Sequence, residues 1–121
     1  QNNVNFLGNQ NKDKVLEQFS SAYLTIVPSV VEAFGYVVIE SFSVKTPVIG
    51  SDTSGIAEII RDDCDGFLFE VNNYRDLADK INYLLGNPKL RERFSNNCFE
   101  NFLENFEVKE VVNNFREEFK L

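Results

Sequence analysis

The residues best suited to chemistry lie in one stretch, Pro28-Ser29-Val30-Val31-Glu32-Ala33-Phe34-Gly35-Tyr36-Val37-Val38-Ile39-Glu40. Two carboxylates, Glu32 and Glu40, stand with seven residues between them. A carboxylate accepts hydrogen bonds on two oxygens and so suits the hydroxyls of a sugar. Gly35, lacking a Cβ, lets a ligand approach the backbone closely. The amides of Tyr36 and Val37 fall at a predicted helix start, where backbone N–H groups can meet phosphate or hydroxyl oxygens. Glu40 lies inside that helix among Val37, Val38, Ile39 and Phe42. Turned outward, it is a solvated residue on the same polar side as Ser41 and Ser43. Turned toward the loop, it is partly buried and needs donors, which ribose hydroxyls supply. Other chemistries are narrowed by composition. There is no His among the 121 residues, so no Ser-His or Cys-His nucleophile can form within the chain. Cys64, Cys98 and carboxylates are the only candidate metal ligands, without Cys-x-x-Cys spacing, and neither metal nor cofactor is expected.

The elements that must position these residues follow from periodicity. Val4–Leu7, ending at Gly8, reads as a strand, and Val15, Leu16 and Phe19 set a helix over Lys12–Ser21. Tyr23–Val27 reads as a strand stopped by Pro28, followed by a loop to Gly35 and a helix over Tyr36–Val44. Val48-Ile49 is a strand leading into the loop Gly50–Gly55. Ile56–Arg61 is a short helix, and Asp62–Gly66 a turn. Phe67–Glu70 is a strand. Tyr74–Leu85 is an amphipathic helix through Leu77, Ile81, Leu84 and Leu85, stopped at Gly86-Asn87-Pro88. Beyond it Leu90, Phe94, Cys98, Phe102 and Phe106 recur every fourth residue as a buried stripe, and Val108–Phe119 reads as a final helix. Strands alternating with helices imply parallel pairing. The expected fold is therefore α/β: a partial doubly wound, Rossmann-like parallel sheet over residues 1–86 with a helical C-terminal extension over residues 87–121. Ligands bind beyond the carboxyl ends of such strands. Three loops fall there: Gly8–Lys12, Pro28–Gly35 and Gly50–Gly55.

Charge and cysteine content bound the partners. The formal net charge is −7, and residues 1–87 carry −6 of it. That balance argues against nucleic acid and acidic membrane, which attract basic patches. Two distant cysteines make no disulfide framework, so a reducing compartment, the cytoplasm, is expected. The chain begins at Gln1 and has no Met, which suggests an excised or processed piece. No Gly-x-Gly-x-x-Gly follows a strand and no P-loop is present, which weighs against a dehydrogenase or a P-loop enzyme.

The ordered motifs resemble those of the retaining glycosyltransferases of group 1 (family 4), which have the GT-B fold and an E-x7-E signature. Pro28-Ser29-x-x-Glu32-x-Phe34-Gly35-x-x-x-x-Glu40 is similar to that signature. Thr46–Gly50 resembles the family's Pro-Val strand, Ser54–Ile60 its Gly-Gly-x-x-Glu loop, and Asp65–Phe69 the following strand. Val4–Gly8 resembles an earlier strand. Ser54 and Ala57 depart from the family's Gly and Pro. The resemblance implies that residues 1–121 are a single partial domain, the C-terminal portion of the domain binding a nucleotide-sugar donor. Glu32 would be the catalytic residue, contacting the donor sugar. Phe34, Gly35 and Tyr36 would offer backbone amides to the sugar, Val37 and Val38 would face the phosphates, and Glu40 would bond the ribose. The resemblance also implies a missing N-terminal acceptor-binding domain and an upstream basic pair for the diphosphate. Without its sheet neighbours, Val4–Leu7 is expected to pair with Tyr23–Val27 or to leave an edge through which copies self-associate. The alternative is a non-catalytic nucleotide-binding or oligomerisation module on the same fold.

Overall fold

The computed structural model describes residues 4–29 and 35–106. Its elements run α1 (Lys12–Ser21), β1 (Thr25–Val27), α2 (Tyr36–Ser43), β2 (Val48–Ser51), α3 (Ser54–Ala57), β3 (Gly66–Phe69), α4 (Tyr74–Leu85) and α5 (Pro88–Asn105). The strands form one parallel sheet in the order β1-β2-β3. Side chains alternate across it. On one face Val27 and Val48 join Val38, Ile39 and Phe42 of α2, Ile56 of α3, and Cys98 and Phe102 of α5. On the other, Ile49, Phe67 and Phe69 meet Leu84 of α4 and Phe94 of α5. Helices thus cover both faces, as the doubly wound reading expects. The stripe through Phe94, Cys98 and Phe102 is core, while Leu85 is exposed and lies outside the α4 stripe.

α5 appears in both clusters because it crosses beneath the amino ends of all three strands. Arg91 donates to the carbonyls of Tyr23 (2.8 Å) and Ala22 (3.2 Å), just before β1. Ser95 Oγ donates to Lys45 O (2.6 Å) ahead of β2. Asn97 donates to Cys64 O (2.8 Å), and Asn101 to Ile59 O (3.0 Å) and Asp65 Oδ2 (2.9 Å), ahead of β3. The amino edge of the sheet is closed in this way.

Three expectations need correction. Val4–Leu7 is not a strand and does not pair with β1; Phe6 is 95% exposed, and Val4 and Leu7 are exposed too. Extended segments are stabilised by a partner on at least one edge and by a buried face, and this one has neither among the described residues. The short helix starts at Ser54 and ends at Ala57 instead of running from Ile56 to Arg61. Its continuation is diverted because the Arg61 amide donates to Asp65 Oδ1 (2.8 Å) and not back along the helix. Ser41 is fully buried rather than on a polar side: its Oγ bonds Thr25 Oγ1 (2.9 Å) and Thr46 O (2.8 Å), tying α2 to β1 and to the start of β2. The proposed final helix Val108–Phe119, like Glu32 and Phe34, lies outside the described residues.

Candidate functional site

The carboxyl edge is built from the start of α1, the end of β1, the start of α2 and the loop after β2. α2 begins behind Gly35, whose φ of 69° is left-handed. A Cβ there would strike Ile59 Cδ1 and come within 3.0 Å of Gly55 O. Gly35 thus seats the start of α2 directly against α3 and the residues just after it, which only a glycine allows. Ile39 N–H donates to Gly35 O (3.1 Å), closing the first turn and leaving the amides of residues 36–38 at the helix N-terminus. Val37 is exposed there, whereas the Val38 side chain is fully buried, so only its backbone can meet a ligand.

Glu40 is one turn further along α2. Its side chain is 21% exposed and its Oε2 lies 3.6 Å from Lys12 Nζ, at the first residue of α1. It therefore takes the partly buried orientation, facing the carboxyl edge, and has a cation beside it. Gly35, Tyr36, Val37, Val38 and Glu40 are brought together on one helix start. Beside them, in the loop after β2, Thr53 Oγ1 is buried and finds no hydrogen-bond partner among the described residues. Sequence patterning did not single out Lys12, because ion pairs between helices 28 residues apart leave no periodic signal.

A second concavity of about 500 Å³ runs along the outer edge of β3, lined by Asp62, Asp63, Phe67, Asp76, Asp79, Lys80 and Tyr83. Its polar groups are engaged in structure. Asp62 Oδ1 accepts from Leu68 N (2.9 Å), Asp76 Oδ2 from Glu70 N (3.1 Å), and Lys80 Nζ donates to Leu68 O (2.8 Å). The Glu70 amide, then the neighbouring Lys80, hold the Asp76 carboxyl below its usual range. These side chains close the free edge of β3. Among the described residues, no group of three or more His, Cys, Asp or Glu is arranged to hold a metal ion, and no helix is long and apolar enough to cross a membrane.

A parallel α/β sheet sealed at its amino edge, with a helix N-terminus and a carboxylate at its carboxyl edge, defines a Rossmann-like ligand-binding domain. The chain belongs to the glycosyl transferase group 1 family, of GT-B fold: the model of that family, glycosyl transferases group 1, matches residues 1–100. An uncharacterized glycosyltransferase of Methanocaldococcus jannaschii is 34% identical over 109 residues, covering 90% of this chain and 31% of that protein. The structure of sucrose-phosphate synthase from Thermosynechococcus elongatus superposes with a TM-score of 0.85 at 26% identity, over 97% of this chain and 29% of that one. Anabaena HepE, solved with UDP and glucose, also gives 0.85, over 99% of this chain and 32% of that one; at 22% identity this establishes the fold alone. The chain spans between 18% and 31% of the length of the curated relatives it matches.

Proposed function

We propose that residues 1–121 are a single partial domain, the C-terminal portion of the donor-binding domain of a retaining, E-x7-E (family 4) glycosyltransferase. Residues 1–86 form its α/β portion and residues 87–121 its C-terminal helices. The enzyme transfers a sugar from a nucleotide-sugar donor to an acceptor held by an N-terminal domain. The observation that carries this is Glu40: a half-buried carboxylate at the carboxyl edge, one turn beyond the left-handed Gly35.

Glu40 accepts from the ribose hydroxyls. The amides of Gly35, Tyr36, Val37 and Val38 and of Phe34 face the sugar and the diphosphate, and Glu32 contacts the sugar undergoing transfer. Positioning and stabilisation of charge on the leaving diphosphate supply the rate. Departure of the diphosphate and attack by the acceptor hydroxyl occur on the same face of the sugar, the hydroxyl proton passing to the leaving phosphate oxygen, so that the anomeric configuration is retained. Neither a metal nor a cofactor takes part, nucleic acid is not a partner, and the enzyme works in the cytoplasm. Taken alone, the chain self-associates along the uncovered edge of β1.

Transfer from UDP-, GDP- and ADP-sugars by the complete enzyme, with the product anomer read by NMR, tests this. Retention, no loss of rate in EDTA, and a fall in kcat on the order of 10²-fold in Glu32→Gln are expected. An inverted product overturns the retaining assignment, and no transfer from any nucleotide sugar overturns the donor assignment.

A further inference from the structure

We propose that Lys12 is a positioning residue that holds the Glu40 carboxylate for the nucleotide ribose; this rests on the donor assignment above. The ammonium is delivered to Glu40 by an element anchored at both ends. Asn11 caps α1 through its side chain, accepting from Lys14 N (2.9 Å), and so fixes the turn that carries Lys12. At the other end Phe19 O accepts from Ala22 N (3.1 Å) and from Thr46 Oγ1 (2.6 Å), tying α1 to the start of β2. Glu40 is equally constrained, because Val38, Ile39, Ser41 and Phe42 around it are all buried. The 3.6 Å contact between Lys12 Nζ and Glu40 Oε2 therefore joins two fixed backbones.

A carboxylate has two oxygens. Lys12 engages Oε2, and Oε1 remains for a ribose hydroxyl. The ammonium restricts a long side chain that would otherwise lose its rotamer freedom on binding. It also offsets part of the cost of withdrawing the carboxylate from water when a nucleotide covers it, since the pair strengthens as the local dielectric falls. Lys12 lies between the motif at Val4–Gly8 and the one at Pro28–Glu40, so the contact comes from the folded arrangement alone.

Calorimetric titration of the complete enzyme with UDP and 2′,3′-dideoxy-UDP, and with the ADP and GDP pairs in parallel, tests the proposal. The wild-type enzyme is expected to prefer the ribose form of its nucleotide. Lys12→Met should cut that preference about threefold, the size of a modest ion pair, and leave affinity for the dideoxy form unchanged. Lys12→Arg should restore it, and Lys12→Met should add nothing to Glu40→Gln. Equal weakening of both forms assigns Lys12 to the phosphates and overturns the proposal. A preference lost in Glu40→Gln but kept in Lys12→Met overturns it alone. A wild-type enzyme indifferent to the ribose hydroxyls overturns the Glu40 assignment and this proposal with it.

Discussion

Gly35 answers two demands at once, a left-handed backbone and close packing against the Gly55 carbonyl and Ile59. Gly35→Ala adds a strained φ to a steric overlap, and the expected loss is roughly 2–4 kcal/mol. A urea midpoint unchanged by the substitution would show that the start of α2 is not packed against α3 in solution. The two cysteines differ in an equally checkable way. Cys98 is fully buried, its Sγ donating to Ser95 O (3.2 Å), while Cys64 is half-buried. Burial first, then the Asp65 charge, push the Cys98 thiol up to about 12. At pH 8 a thiol reagent should label Cys64 quickly and Cys98 only on unfolding; two fast thiols would contradict the packing of α5. Above the ordinary thiol value of 9.0 the unfolded chain releases this proton while the native chain keeps it, so this contribution erodes as pH rises from 9.0 toward about 12.

Elements differed in how plainly the sequence foretold them, for physical reasons. α1 and α4 were legible to the residue, because Val15, Leu16 and Phe19, and Leu77, Ile81 and Leu84, repeat at helical spacing. Val4–Leu7 has the same apolar character as Thr25–Val27, yet only the latter is a strand, since strand formation depends on a neighbour that local sequence does not encode. The role of α5 was half legible. Its Phe stripe announced burial, but the polar residues between gave no hint that they cap three strand ends. Asn101 is the most consequential of them. It joins the Arg61 amide and guanidinium (Nε to Oδ2, 3.0 Å) in satisfying Asp65, which is fully buried. Asn101→Ala withdraws a donor from a buried carboxylate and should cost about 2–3 kcal/mol in chemical denaturation. A loss below ~0.5 kcal/mol, the scale of an ordinary surface substitution, would mean that Asp65 is satisfied otherwise.

Over the whole molecule the two sheet edges are treated differently. β3 has its outward amide and carbonyl at Leu68 covered by Asp62 and Lys80. Among the described residues β1 pairs with β2 alone and Ile26 is exposed. An uncovered parallel edge favours association, and so do the exposed side chains of Val4, Phe6 and Leu7. Light scattering of the isolated chain should show mass rising with concentration, and a monodisperse monomer would count against it. The carboxyl edge was legible from the alternation of strands and helices, and the start of α2 from Gly35-Tyr36. What escaped was the company Glu40 keeps, because Lys12 meets it only through the packing of α1 on α2. In the proposed enzyme this carboxylate reads the donor nucleotide. Calorimetric titration of the complete enzyme and its Glu40→Gln variant with the donor nucleotide is the decisive measurement. Loss of a hydrogen bond to a charged group predicts affinity weakened about tenfold or more in the variant; equal affinities would contradict it.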